Sequence, residues 1–431
     1  MPPVADEVAL PWDGPVDDAV AAIGAARAVL GDTFVVDSGA DRYLFTFSPA
    51  AVRDLYGLPE DRASKGVADW RMLRRKLPAE LFSGRRTLPH HLFGRADALA
   101  YMGNVRSALV AAVEELGSEG TVDVFDLTRQ LGHRVGLASW GGPGSSQAPN
   151  LASLVSAFDV LDGAESFVHP DAMARIAETG HAAERAALET ASTLIGEAVD
   201  RLGTDPGLEA DHPLFTRIAA SWSDRPDPGR RTGVAHDVIL VHIASMSNLF
   251  AAMGWALIDL LEHPDARDTV ARGDSMWAEQ CAMESTRMAQ RSIMSRFVLT
   301  PVTIRDEMHE YTVSPGATVS TLLPLTNTTA APGYAQWRPS RWNRRRLSDP
   351  SSLPAPELVT VFGHGNHTCP AQPFSLAAMT TAMTTLVSTF DWVPEWSEHP
   401  GPVPAQIGGV ARAADPCRAS YRRTTTGGVP R

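Results

Sequence analysis

The chain is short of cysteine, of basic charge and of long apolar runs. Its three cysteines, Cys281, Cys369 and Cys417, are odd in number and far apart, which excludes a disulfide framework and fits a reducing compartment. Lysine and arginine number 38 against 50 aspartates and glutamates, a formal net charge of −12. No basic excess is available to neutralise phosphates, so nucleic acid is excluded as a partner. No uninterrupted apolar run reaches the roughly 18 residues of a membrane span, and residues 1–7 lack the basic and apolar stretches of a signal peptide. A cytoplasmic protein without membrane attachment is the expectation. A GxxxxGK[ST] phosphate loop is missing, as are internal repeats and the strand–helix alternation of a doubly wound sheet.

What the chain has in quantity is helical periodicity. At 431 residues it is long enough for two or three domains or for one large core. Apolar spacings of three and four predict helices over 16–30, 49–56, 97–116, 125–138, 150–162, 168–178, 180–202 and 213–222. The segment 235–261 is apolar nearly all round and ends at His263-Pro264, which predicts a buried central helix. Helices over 264–272, 275–291 and 374–389 follow. Short strands are expected at 34–37 and 42–47, around a hairpin turn, and at 296–304, 309–313 and 318–323. Residues 57–95 read as a long loop with short helices, the C-terminus as loop-rich, and 1–15 and 422–431 as loose ends. The fold class is mainly α with small β-sheets.

One stretch concentrates chemistry: Phe362-Gly363-His364-Gly365-Asn366-His367-Thr368-Cys369-Pro370-Ala371. Two glycines allow a tight turn, and a cysteine ahead of a helix N-terminus is well placed to be a thiolate. The residues alone leave three readings: a thiolate metal ligand, a zinc site of His364, His367 and Cys369, or a structural turn with a buried thiol.

Phe362-x-x-Gly365-x-His367-x-Cys369 resembles the haem-binding signature of the cytochrome P-450 superfamily. Glu284-x-x-Arg287, with the pair on one helical face, resembles that family's ExxR element. Trp337-Arg338-Pro339-Ser340-Arg341-Trp342 resembles the element whose arginine joins it. The resemblance covers residues 30–420 and implies a single-domain P-450 fold over 1–431, holding haem b (iron protoporphyrin IX). It implies Cys369 as the iron ligand, Phe362 and Gly365 in the haem loop, and a buried structural triad of Glu284, Arg287 and Arg341. It implies haem-propionate contacts from His367 and Arg296, with His91 (beside His90, Arg85 and Arg86) as a further candidate. Arg338–Arg346 becomes a candidate ferredoxin dock, and 65–95, 160–200, 297–302 and 407–410 become substrate contacts for a small, mostly apolar molecule. A monomer is expected.

The central helix departs from the pattern. Its ending sets the register so that Ala244-Ser245-Met246-Ser247-Asn248-Leu249 lies above the iron, where the family usually carries an acid followed by an alcohol that deliver protons to dioxygen. Ser247 stands at the acid position and Asn248 at the alcohol position. Ala244, Ser245, Asn248 and Leu249 share one helical face, so Asn248 is expected to point at the open side of the iron. An amide has no proton to transfer near neutral pH. The resemblance therefore implies an enzyme, of bacterial specialised metabolism, acting on a substrate with a pre-oxidised O–O or N–O bond. The alternatives are an ordinary dioxygen- and ferredoxin-dependent monooxygenase, and a non-catalytic haem-binding protein.

Overall fold

The computed structural model describes residues 1–12, 16–84, 92–163, 170–205 and 207–424. Its helices are α1 (Ala19–Leu30), α2 (Pro49–Gly57), α3 (Lys65–Leu73), α4 (Ala98–Leu116), α5 (Val124–Trp140), α6 (Asn150–Leu161), α7 (Pro170–Glu178), α8 (Ala182–Thr204), α9 (Leu208–Asp211), α10 (Pro213–Ala220), α11 (Gly229–Glu262), α12 (Pro264–Ala271), α13 (Ser275–Met288), α14 (Leu323–Thr329) and α15 (Gln372–Thr389). Its strands are β1 (Thr33–Ser38), β2 (Asp41–Thr46), β3 (Ala63–Ser64), β4 (Glu119–Asp123), β5 (Ile293–Val298), β6 (Val302–Arg305), β7 (Glu310–Val313), β8 (Thr318–Leu322), β9 (Trp342–Asn343), β10 (Arg346–Leu347), β11 (Phe390–Pro394) and β12 (Arg418–Arg423).

Helix α11 is the axis of the molecule. At 34 residues it is about 50 Å long, and its second half is buried almost without interruption. It stops at His263, which precedes Pro264 and is forced to an extended ψ of 82°; Pro264 then opens α12 at a position where its missing N–H costs nothing. By length and composition α11 passes for a membrane span, but 67% of the relevant window is buried inside the protein.

Helices α5 and α8 pack along α11, and the approach of α5 depends on glycine. A Cβ added at Gly136 would lie 2.6 Å from Met246 and 2.7 Å from His242; one added at Gly254 would lie 2.8 Å from Phe125. The main apolar core gathers α4, α5, α6, α8, α11, α13 and α15. Smaller cores lie against the N-terminal sheet.

That sheet has the order β1-β2-β8-β5-β3, parallel only between β2 and β8, and it joins the two segments expected to form the β-rich region. A second, three-stranded sheet, β11-β12-β4, corrects the expectation of a loop-rich C-terminus. Its strands are short, and β4 pairs with a segment some 300 positions away, as in Thr121↔Ser420, so no local hairpin signal announces it. The expected long loop over 57–95 holds β3, α3 and a 3-10 turn at Ala79–Phe82 in its described part. The ends are also tighter than expected. Ala5 N–H donates to the Val35 carbonyl at 2.8 Å and Leu10 is fully buried, because this segment covers the open face of β1. Arg422 and Arg423 belong to β12; residues 425–431 lie outside the described residues.

Candidate active site

The Cys369 turn is built by hydrogen bonds to its own backbone. Gly363 and Gly365 take φ values of 81° and 59°, which favour glycine. The Cys369 N–H reaches back to the Phe362 carbonyl at 2.7 Å. From behind, Thr360 Oγ1 accepts the Gly363 N–H at 2.8 Å, Asn327 brackets Thr360 through both its amide atoms, and Gln290 donates to the Val361 carbonyl. Burial pushes the Cys369 thiol up, with the backbone N–H groups of Ala371 and Gln372 pulling against it.

Glu284 and Arg287 form a fully buried two-pronged ion pair, at 2.7 and 2.9 Å. Arg341 Nε donates to the same carboxylate at 3.2 Å, Trp342 Nε1 at 2.8 Å and the Arg338 N–H at 2.9 Å. Arg287 spends its remaining N–H groups on the carbonyls of Asn327 and Tyr334. Asn327, in turn, holds Thr360. The ion cluster and the cysteine turn are one hydrogen-bonded unit.

Arg296 and His367 meet around Glu60. Arg296 is fully buried and donates to Glu60 at 3.2 Å and to the carbonyls of Ala63 and Tyr56. His367 Nε2 lies 3.5 Å from the same Glu60 oxygen. Burial, then the Arg296 charge, lowers the His367 pKa. Glu60 carries no sequence signal beyond its place in a polar loop. His364 turns away, with Nε2 against the Val359 carbonyl at 3.1 Å. Among the described residues no three metal-ligating side chains cluster, so the zinc reading of this stretch has no ligand set. His91, His90, Arg85 and Arg86 lie outside the described residues.

On α11, Ala244 and Asn248 are the exposed residues between 233 and 261, one helical turn apart on a face the protein leaves uncovered. Ser245 Oγ bonds back to the Val241 carbonyl. The amide of Asn248 is only half free: its Oδ1 accepts the Val410 N–H at 2.8 Å, and among the described residues its nitrogen has no partner. Ser247 is engaged from the other side. Arg412 donates to its carbonyl at 3.3 Å and to its Oγ at 3.1 Å. Arg412 was not expected here. Its only signal is that it is the single charged residue between 400 and 414.

No protein-family model matches the chain. A stretch of 213 residues is 24% identical to human 24-hydroxycholesterol 7-alpha-hydroxylase, covering 43% of the chain and 43% of that protein. Among solved structures, cyanobacterial CYP120A1 with retinoic acid bound superposes with a TM-score of 0.73, over 98% of this chain and 99% of that one, at 15% identity. The chain has the cytochrome P-450 fold.

A P-450 fold implies a haem, and the residues present fit one. Cys369 stands on a rigid turn with two amides near its sulfur. Among the described residues Arg296 keeps a buried Nε without a partner beside His367, which suits the carboxylates of a porphyrin edge. On α11, Ala244 and Asn248 leave one face exposed.

Proposed function

We propose that the chain is a haem-thiolate enzyme, with haem b held through Cys369 and its propionates met by Arg296 and His367. Its reaction, in this reading, acts on a small, mostly apolar substrate that already carries an O–O or N–O bond, by rearrangement, dehydration or atom transfer. Haem, when bound, supplies an iron centre whose thiolate ligand favours cleavage of such bonds.

One observation carries the choice of chemistry: the Asn248 amide has no proton to transfer and its oxygen is taken by a backbone N–H, while the Ser247 hydroxyl is held by a guanidinium with no carboxylate on the turn to resupply it. Asn248 Oδ1 receives the Val410 N–H and Ser247 Oγ receives Arg412. Neither a guanidinium nor an amide gives up a proton near neutral pH, and no carboxylate occupies residues 244–249. The free amide nitrogen of Asn248 can instead orient a substrate oxygen. Bacterial specialised metabolism is the setting we infer.

The name of the human relative, a hydroxylase, favours a second reading: a dioxygen- and ferredoxin-dependent monooxygenase with Arg338–Arg346 as the docking face. Turnover separates the two. Organic hydroperoxides and N-oxygenated compounds should be converted by the purified holoenzyme under argon without reductant. Strict dependence on both reductant and dioxygen establishes the second reading and removes the first.

A further inference from the structure

Behind α11, away from the cysteine turn, lies a cavity of about 640 Å³ between α5, the end of α6 and the loop before β12. Cys369, His367, Arg296 and Asn248 do not line it, and its link to the proposed site runs through Arg412, which lines it and holds Ser247. Its volume is within the range of small-molecule sites. Its walls carry both signs, five aspartates and three arginines, among them the pairs Asp159–Arg129 and Asp162–Arg412, beside the rings of Phe125 and Phe250.

The two ion pairs differ in closure. Arg129 grips Asp159 at 2.6 and 2.7 Å, the length of a charge-assisted hydrogen bond. At Asp162, Arg412 stands 3.4 Å away, longer than such bonds run, and among the described residues its guanidinium otherwise meets the neutral oxygens of Ser247 and the Phe250 ring at 4.2 Å. Asp162 is also shared with Lys76, again at 3.4 Å. A loosely closed pair of opposite charges beside an aromatic face accepts a ligand that brings both charges of its own. A ligand with one charge would satisfy one partner and leave the other less compensated in a poorly solvated place.

We propose that this cavity is a second ligand site for a small zwitterion with an apolar body, an α-amino acid or short peptide. The ligand carboxylate meets Arg412, its ammonium meets Asp162, and its apolar part rests on Phe250 and Phe125. Binding of this kind bears directly on Ser247, because Arg412 holds that residue's carbonyl and hydroxyl.

Calorimetric titration of the holoenzyme with L-phenylalanine, 2-phenylethylamine and 3-phenylpropanoate tests the assignment. The zwitterion should bind at least about tenfold more tightly than either singly charged probe. Asp162→Asn should weaken phenylalanine at least about tenfold. Ala414→Trp, at an exposed position on the cavity rim, should abolish its binding, with the Soret band confirming an intact fold. Arg418→Gln, on the same rim but largely exposed and loosely paired with Glu395, should leave it unchanged. Absence of phenylalanine binding, equal affinity for a singly charged probe, or binding that survives Ala414→Trp would each overturn the proposal.

Discussion

Asn248 and Val410, 162 positions apart, are joined by a 2.8 Å hydrogen bond from the Val410 N–H to the Asn248 side-chain oxygen. The bond pins the C-terminal loop against the central helix at the turn where a P-450 fold ordinarily handles protons. It also takes up the oxygen of the polar side chain that shares the uncovered face with Ala244.

Asn248→Thr shortens the side chain and removes this acceptor, leaving the Val410 N–H short of a partner. A loss of about 1 kcal/mol in stability is expected, read as a lower urea midpoint with an unchanged slope. On the proposed reading, in which Ser247 stands at the acid position, the same variant should not couple reductant consumption to hydroxylated product efficiently. Efficient coupling would contradict the account of this turn.

Cys369→Ser keeps the size of the side chain and removes the soft thiolate. The reduced, CO-bound spectrum of the wild-type protein should show the thiolate-type Soret shift, and the serine variant should lose it. A wild-type spectrum without that shift would remove the haem-thiolate reading altogether.

Glu284→Gln strands the guanidinium of Arg287, which is fully buried, without its counter-charge. Breaking a buried pair from one side costs about 3–5 kcal/mol. Since Arg287 also organises Asn327, and Asn327 holds Thr360, haem content should fall together with the denaturation midpoint. A variant of normal stability and full haem content would show that the cluster does not support the cysteine turn.

His242 supplies a pH dependence. The Trp140 indole can only donate, to His242 Nδ1 at 3.3 Å, so His242 Nε2 carries the proton and donates to His133 Nδ1 at 2.9 Å. Burial, then the neighbouring His133, lowers the His242 pKa well below its ordinary value of 6.5. The unfolded chain therefore binds a proton below about pH 6.5 that the folded chain refuses, and stability falls as pH falls, by about 1.4 kcal/mol per pH unit for this one group. His242→Gln should flatten the acid limb by that one-proton slope, measured by urea unfolding between pH 5 and 7. An identical acid limb in both proteins would rule out the buried neutral imidazole.

Gly136→Ala places a methyl group 2.6 Å from Met246 and 2.7 Å from His242. Overpacking of this kind costs about 1–3 kcal/mol, and the thermal midpoint should drop accordingly. A neutral outcome would mean that α5 and α11 separate without penalty.

The elements that depend on neighbours in the chain are legible in its residues alone. Helices α4, α5 and α11 follow from apolar spacing, the end of α11 from Pro264, and the Glu284–Arg287 pair from its one-turn separation. The cysteine turn is contiguous, with its glycines and ligand candidates inside ten residues. These features arise from backbone geometry and local hydrogen bonding, which act over a few positions and leave their period in the amino-acid order.

What only the tertiary structure decided is how that equipment is arranged. Val410 reaches Asn248, Arg412 reaches Ser247, Glu60 separates Arg296 from His367, and β4 finds β12. Each contact joins segments more than a hundred positions apart, and no local pattern records which of them will meet. Cys369 identifies a candidate iron ligand from sequence alone. The hydrogen-bonding role of Asn248 exists only because packing brings a distant loop against α11, and an amide or guanidinium takes whatever partner that packing presents.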